Sequence, residues 1–184
     1  MKYVQPQLAL LRLWTTLAAL LLLVAPANAA DISQFVGSFT GSATVESSDG
    51  TSARRDMSVE ISKGDYGFSV QWTSSTHKPD GRIKTNSNSV NFVPSDRDGI
   101  YAAAMEKNVF GHEVQLDPMK GEPFVWSRIV GDTLTVFSLH VDKAGSYEMQ
   151  QYDRTLADGG LQLKFSFLRN GQEQRSVSTF LKRQ

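Results

Sequence analysis

Through most of the chain apolar and polar side chains alternate, the period of a strand with one face buried and the other wet. Met57, Val59 and Ile61 alternate with Ser58, Glu60 and Ser62, and Phe68, Val70 and Trp72 alternate with Ser69, Gln71 and Thr73. Lys63-Gly64-Asp65 separates these two runs, and Ser47-Ser48-Asp49-Gly50 ends an earlier one over 39–46. A further strand is expected over 83–93, either one bent strand or two joined at Asn86–Asn88, and another over 100–105. Pro79-Asp80-Gly81 and the segment 94–99 read as turns, the latter held by its aspartates.

The last third is the most regular. Gly131-Asp132 joins 124–130 to 133–141, and 142–145 leads into 146–156. Asp158-Gly159-Gly160 leads into 161–169, and Asn170-Gly171 into 173–182. Asn-Gly is the strongest short hairpin signal, because both central residues of its turn need positive φ. Turns at intervals of roughly 10–14 residues, without a βαβ rhythm, predict an all-β fold. The expected architecture is a single antiparallel meander barrel of about 8–10 strands, with a β-sandwich or open barrel as the other solution. Residues 31–36 read as one short helical turn with Asp31 as its N-cap. Residues 106–123, which include Pro118 and Pro123, have no clean period and form a loop of the length used for lids and binding loops.

Residues 1–29 have a different composition. Lys2 and Arg12 precede an apolar run from Leu13 to Val24, Pro26 breaks it, and Ala27-Asn28-Ala29 is a small-x-small cleavage site. The run is too short for a hydrocarbon core of about 30 Å, so a cleaved secretory signal is expected, followed by one domain over 30–184. No stable membrane span is expected after cleavage. The whole chain has 19 Lys+Arg and 19 Asp+Glu; without the leader the domain keeps 17 basic and 19 acidic groups. That balance argues against a nucleic-acid partner, which needs a basic patch. The absence of cysteine excludes disulfides, thiolate metal sites and cysteine nucleophiles. With a short leader and no cysteine, export to a bacterial periplasm is preferred over eukaryotic secretion.

Gly37-Ser38-Phe39-Thr40-Gly41 opens the first strand as Gly-x-aromatic-x-Gly. Followed by sequential hairpins, this pattern resembles the calycin-type barrels: lipocalins, avidins and fatty-acid-binding-like proteins. In lipocalins the aromatic residue is usually Trp, with a basic residue of the last strand packed across it. Here Phe39 holds that position, and Lys182 or Arg183 would take the basic part. The resemblance spans about Gly37 to Arg183 and implies a ligand cup.

Candidate chemistry is sparse. His77, His112 and His140 lie far apart without metal-ligand spacing, and Asp96-Arg97-Asp98-Gly99 lacks the flanking ligands of a calcium loop. Neither a metal nor another cofactor is expected, and no catalytic residue is assigned, since no nucleophile–base pair emerges from the spacing. Arg54-Arg55 reads as a solvated pair. The aromatic residues are richer in meaning. Phe124, Trp126 and Arg128 share one face of their strand, with Val125, Ser127 and Ile129 on the other, and register decides which is inside. With the Trp126 face inward, Arg128 is a cup-lining cation that needs a carboxylate of the protein or of a ligand. With that face at a rim, Arg128 pairs with Glu148 or Asp153. Tyr147, Met149 and Gln151 form one mixed stripe, with Glu148, Gln150, Tyr152 and Arg154 opposite.

Two functions are therefore expected. The first is an exported small-molecule-binding protein with a largely apolar, anionic ligand in a β-barrel cup, walled by Trp72, Phe92, Tyr101, Trp126 and Phe165 and anchored by Arg128. The alternative is an envelope protein–protein interaction or inhibitor module acting through 106–123. Oligomeric state does not follow from the sequence.

Overall fold

The computed structural model describes residues 31–46, 52–107, 113–114 and 116–184. The leader with its cleavage site, the turn at 47–50, His112 and part of the irregular segment lie outside the described residues. A three-residue 3-10 turn, Ile32–Gln34, precedes β1 (Gly37–Glu46), β2 (Ser52–Lys63), β3 (Phe68–His77), β4 (Ile83–Pro94) and β5 (Ile100–Ala103). Two two-residue strands follow, β6 (Glu106–Lys107) and β7 (Glu113–Val114), then a second 3-10 turn, Pro118–Lys120. The chain continues through β8 (Phe124–Val130), β9 (Thr133–Val141), β10 (Tyr147–Ala157), β11 (Gly160–Arg169) and β12 (Gln172–Arg183).

Ten of these strands form a closed antiparallel barrel in meander order, completed where β12 meets β1; β6 and β7 pair with each other in a separate two-stranded sheet. No helix among the described residues is long and apolar enough to cross a membrane. The expected all-β barrel is thus the fold.

β4 is one strand, not two. Every residue from Ile83 to Phe92 pairs with β3, and Asn86-Ser87-Asn88 does not interrupt the ladder. Hydroxyl pairs across the outer face, Thr73 with Ser87 and Ser75 with Thr85, each 2.9 Å, hold this polar stretch in strand register. The turn after β4 owes its shape to Ser95 rather than to its aspartates: the Ser95 hydroxyl donates to the Ile100 carbonyl (2.9 Å) and accepts from the Arg97 N–H (3.2 Å). Asn170 and Gly171 have φ of 49° and 79°, as a two-residue hairpin of their type requires.

One end of the barrel is solid. Phe35, Phe39, Ile61, Phe68, Phe92, Leu134, Leu161 and Leu181 are buried there, beneath the first 3-10 turn. At about 1.5–3 kcal/mol per large apolar side chain, this plug supplies the hydrophobic stabilisation that a cysteine-free domain needs. Arg183 locks it, its guanidinium 4.5 Å from the Phe39 ring centroid and donating to the carbonyls of Val36 (2.6 Å) and Gln34 (3.1 Å). Asp31 sits at the N-cap position, but its carboxylate accepts from the Ser33 hydroxyl (2.8 Å) rather than from a backbone N–H of the turn.

Candidate ligand-binding site

Strand alternation carries the inward-facing side chains of β2, β3, β10, β11 and β12 from the solid end toward the opposite mouth. Above the plug they leave a cavity of about 360 Å³, inside the usual ligand-pocket range of about 300–1,000 Å³. Its apolar wall includes Met57, Trp72, Leu163, Phe165 and Val177, and its neutral polar groups include Asn86, Asn88, Gln150 and Tyr152. Its charged groups are Arg55, Arg154 and Arg175, and no carboxylate lines it among the described residues.

Arg154 is the most unusual side chain of the barrel. It is 1% exposed, yet its Nε and Nη1 have no hydrogen-bond partner among the described residues. Its register on β10, opposite Leu134 of β9 and Leu163 of β11, places it between apolar neighbours. The guanidinium lies 5.4 Å from the Tyr152 ring centroid and 5.8 Å from that of Trp72. Burial pulls its pKa down to about 10, so it remains a cation at neutral pH. Asp153, next in sequence, faces the other side of the sheet, where it accepts from Thr135 Oγ1 (2.8 Å) and Gln151 Nε2 (2.8 Å).

Tyr152 stands beside Arg154. Its ring packs on Phe165 (4.8 Å) and Trp72 (5.4 Å), bridging the two sides of the interior. Its hydroxyl donates to Gln150 Oε1 (2.8 Å), and burial raises its pKa above the usual phenol range. Nearer the mouth, Arg175 lies 5.5 Å from the Phe165 centroid with a buried, unpartnered Nε. Arg55 donates to Thr76 Oγ1 (3.1 Å), and its pKa is lowered by burial first and by the charge of Arg175 second.

A second cavity of about 360 Å³ shares Trp72, Asn88 and Tyr152 with the first, and no charged residue lines it among the described residues. Leu116 and Pro123, from the irregular segment between β5 and β8, line it together with Val90, Val125 and Val136. The two cavities therefore present a cationic and a neutral chamber on either side of an aromatic bridge.

At the mouth one acidic and basic cluster is internally paired. Glu148 pairs with Arg169 (3.3 Å) and lies 3.6 Å from His140 Nδ1, while Arg169 also pairs with Asp142. The chamber's arginines have no such carboxylate beside them among the described residues.

The residues singled out from sequence fall in three places. Trp72 and Phe165 line the cationic chamber. Phe92 and Tyr101 belong to the plug, packed on Phe68 at 5.1 and 5.0 Å. Trp126 and Arg128 lie outside the barrel, because β8 turns Ser127 and Ile129, 0% and 4% exposed, inward. Out there Trp126 stacks on Phe137 (4.8 Å) and packs at a tilt against Phe124 (5.7 Å), and the Arg128 guanidinium lies 5.5 Å from the Phe137 centroid. Glu148 and Asp153 are engaged with Arg169 and with Thr135 and Gln151, so neither serves Arg128. Arg55 is not a solvated surface residue but part of the chamber lining. Arg154 and Arg175 went unassigned; the signal for Arg154 was its place in the Glu148–Gln150–Tyr152 stripe, opposite apolar positions of both neighbouring strands.

No protein-family model matches the chain, and no curated protein matches it.

Proposed function

We infer that this is a calycin-type binding protein that holds a small organic anion with an apolar or aromatic body inside its barrel. The Gly37-to-Gly41 opening, the closed meander and the packing of Arg183 across Phe39 support the calycin reading. One observation carries the ligand reading: Arg154 is buried and cationic, with two polar atoms unpartnered. An isolated buried charge costs several kcal/mol, a cost that a bound anion offsets. Trp72, Tyr152 and Phe165 offer the anion's body aromatic surface. The leader composition supports cleavage after Ala29 and residence in a bacterial periplasm.

The test is titration of the purified protein with 8-anilinonaphthalene-1-sulfonate, a fluorescent aromatic anion. Saturable, blue-shifted emission at one site is expected, lost in Arg154→Met and retained in Arg128→Met. No saturable binding, or binding indifferent to Arg154, overturns the reading.

A further inference from the structure

The cations of the chamber are not clustered at one point. Arg154 is opposite Leu163 of β11, and Arg175 is opposite Phe167 of the same strand. Four residues of extended chain separate those backbone positions, about 13 Å along the strand, and each guanidinium leans on the aromatic pair between them, Arg154 on Tyr152 and Arg175 on Phe165. Tyr152 and Phe165, paired with each other between these levels, fill the interval with aromatic surface. Arg55 lines the same chamber, and after burial the charge of Arg175 lowers its pKa. Each end retains a donor without a hydrogen-bond partner among the described residues, Nε and Nη1 of Arg154 at one and Nε of Arg175 at the other. A ligand whose one anionic group pairs with Arg154 from below the aromatic pair leaves Nε of Arg175 above it unpaired.

Building on the anion-binding reading above, we propose that the ligand carries two separated anionic groups: one engages Arg154 deep in the barrel, the other engages Arg175 toward the mouth, and its apolar middle lies on Tyr152, Phe165 and Trp72. A straight or aromatic dicarboxylate has this chemistry. A compact dianion such as a phosphate monoester does not, because both its charges occupy one end.

The experiment is calorimetric titration of the protein with three kinds of probe: unbranched α,ω-dicarboxylates from hexanedioate to dodecanedioate, monocarboxylates of the same lengths, and phenyl phosphate. A dicarboxylate of one preferred length is expected to bind about ten-fold or more tightly than its monocarboxylate, the worth of one added charge-assisted contact. Arg175→Gln should erase that advantage while leaving the monocarboxylate affinity within about two-fold, and Arg154→Gln should weaken both. Circular dichroism of each variant establishes that the barrel is intact. If monocarboxylates and dicarboxylates bind equally, or phenyl phosphate outcompetes both, the two-ended ligand is overturned while the anion-binding reading stands. If none of the three binds and the anionic fluorophore also fails, both are overturned.

Discussion

The guanidinium of Arg183 lies over Phe39, 4.5 Å from its centroid, and serves two roles at once: it covers the ring and donates to Val36 and Gln34 of the plug. Arg183→Gln is expected to destabilise the protein by about 1–3 kcal/mol, through lost charge-assisted bonds and a lost cation–π contact. Lysine should restore little, because a point charge does not reproduce a planar fork. Urea denaturation measures the loss. Anion binding should be unaffected, since Arg183 lies at the end away from the chamber; a parallel loss of both would contradict the separation of plug and cup.

Arg154→Met should act in the opposite direction on stability. Replacing an unpaired buried charge by an apolar side chain of similar length is expected to stabilise the empty protein by about 1–4 kcal/mol. The same variant should lose anion binding. Denaturation midpoints without ligand decide this, and a destabilised Arg154→Met would show that the guanidinium has partners within the folded protein.

The described residues contain two tryptophans, one on each side of the wall. Trp72 lines both chambers, whereas Trp126 stacks with Phe137 outside. Ligand-induced change in tryptophan emission should persist in Trp126→Phe and disappear in Trp72→Phe. The reverse pattern would place the ligand on the outer wall.

Gly41 faces the carbonyl of Phe180 where β1 meets β12, with no space for a Cβ. Gly41→Ala should force the seam apart and cost about 1–3 kcal/mol or more. Ser42→Ala, at the exposed neighbouring position, should stay within about 0.5 kcal/mol. Equal effects in thermal melts would show that the seam tolerates the added carbon.

Asp142 accepts from the N–H groups of Ser146 and Ala144, at 2.9 Å each, and pairs with Arg169. The Ser146 bond, then that of Ala144 and the charge of Arg169, hold its pKa below the ordinary carboxylate value despite an opposing desolvation. A carboxylate depressed in the folded state adds stability above its unfolded pKa, about 3.9, and that stability is lost as pH falls through the folded value. Melting temperature should therefore fall less steeply from pH 5 to pH 2 in Asp142→Asn than in the unsubstituted protein. Identical slopes would remove Asp142 from the acid response.

The sheet was legible because its signals are local. Alternation and turn residues located the hairpins from β8 to β12, and Asn170-Gly171 set a register within two residues. Inside and outside were less so. On β8 both faces carry large apolar groups, Phe124 and Trp126 on one and Val125 and Ile129 on the other. Only pairing with β9, where Leu134 and Val136 are fully buried, settles which is core. Arg128 and Arg154 are equally charged in sequence, but their surroundings come from strands that the local pattern does not bring together. Arg175 and Arg55 line one chamber only because the barrel is closed by residues far apart in the chain, so no window of sequence contains it.

That closure also governs the order in which the fold can be completed. Gln184 donates to Thr40 Oγ1 (2.7 Å) across a separation of 144 residues. Until β12 is present, the outer edge of β1 has no strand to pair with, and the plug lacks the arginine that clamps it. Hairpins β8–β12 can form early from neighbouring residues, but the ring is a late, entropically costly event of the kind that slows folding. During that interval the unpaired β1 edge is a template for pairing with another chain. The same contacts that seal the finished barrel therefore make its unfinished form the state most exposed to misassembly.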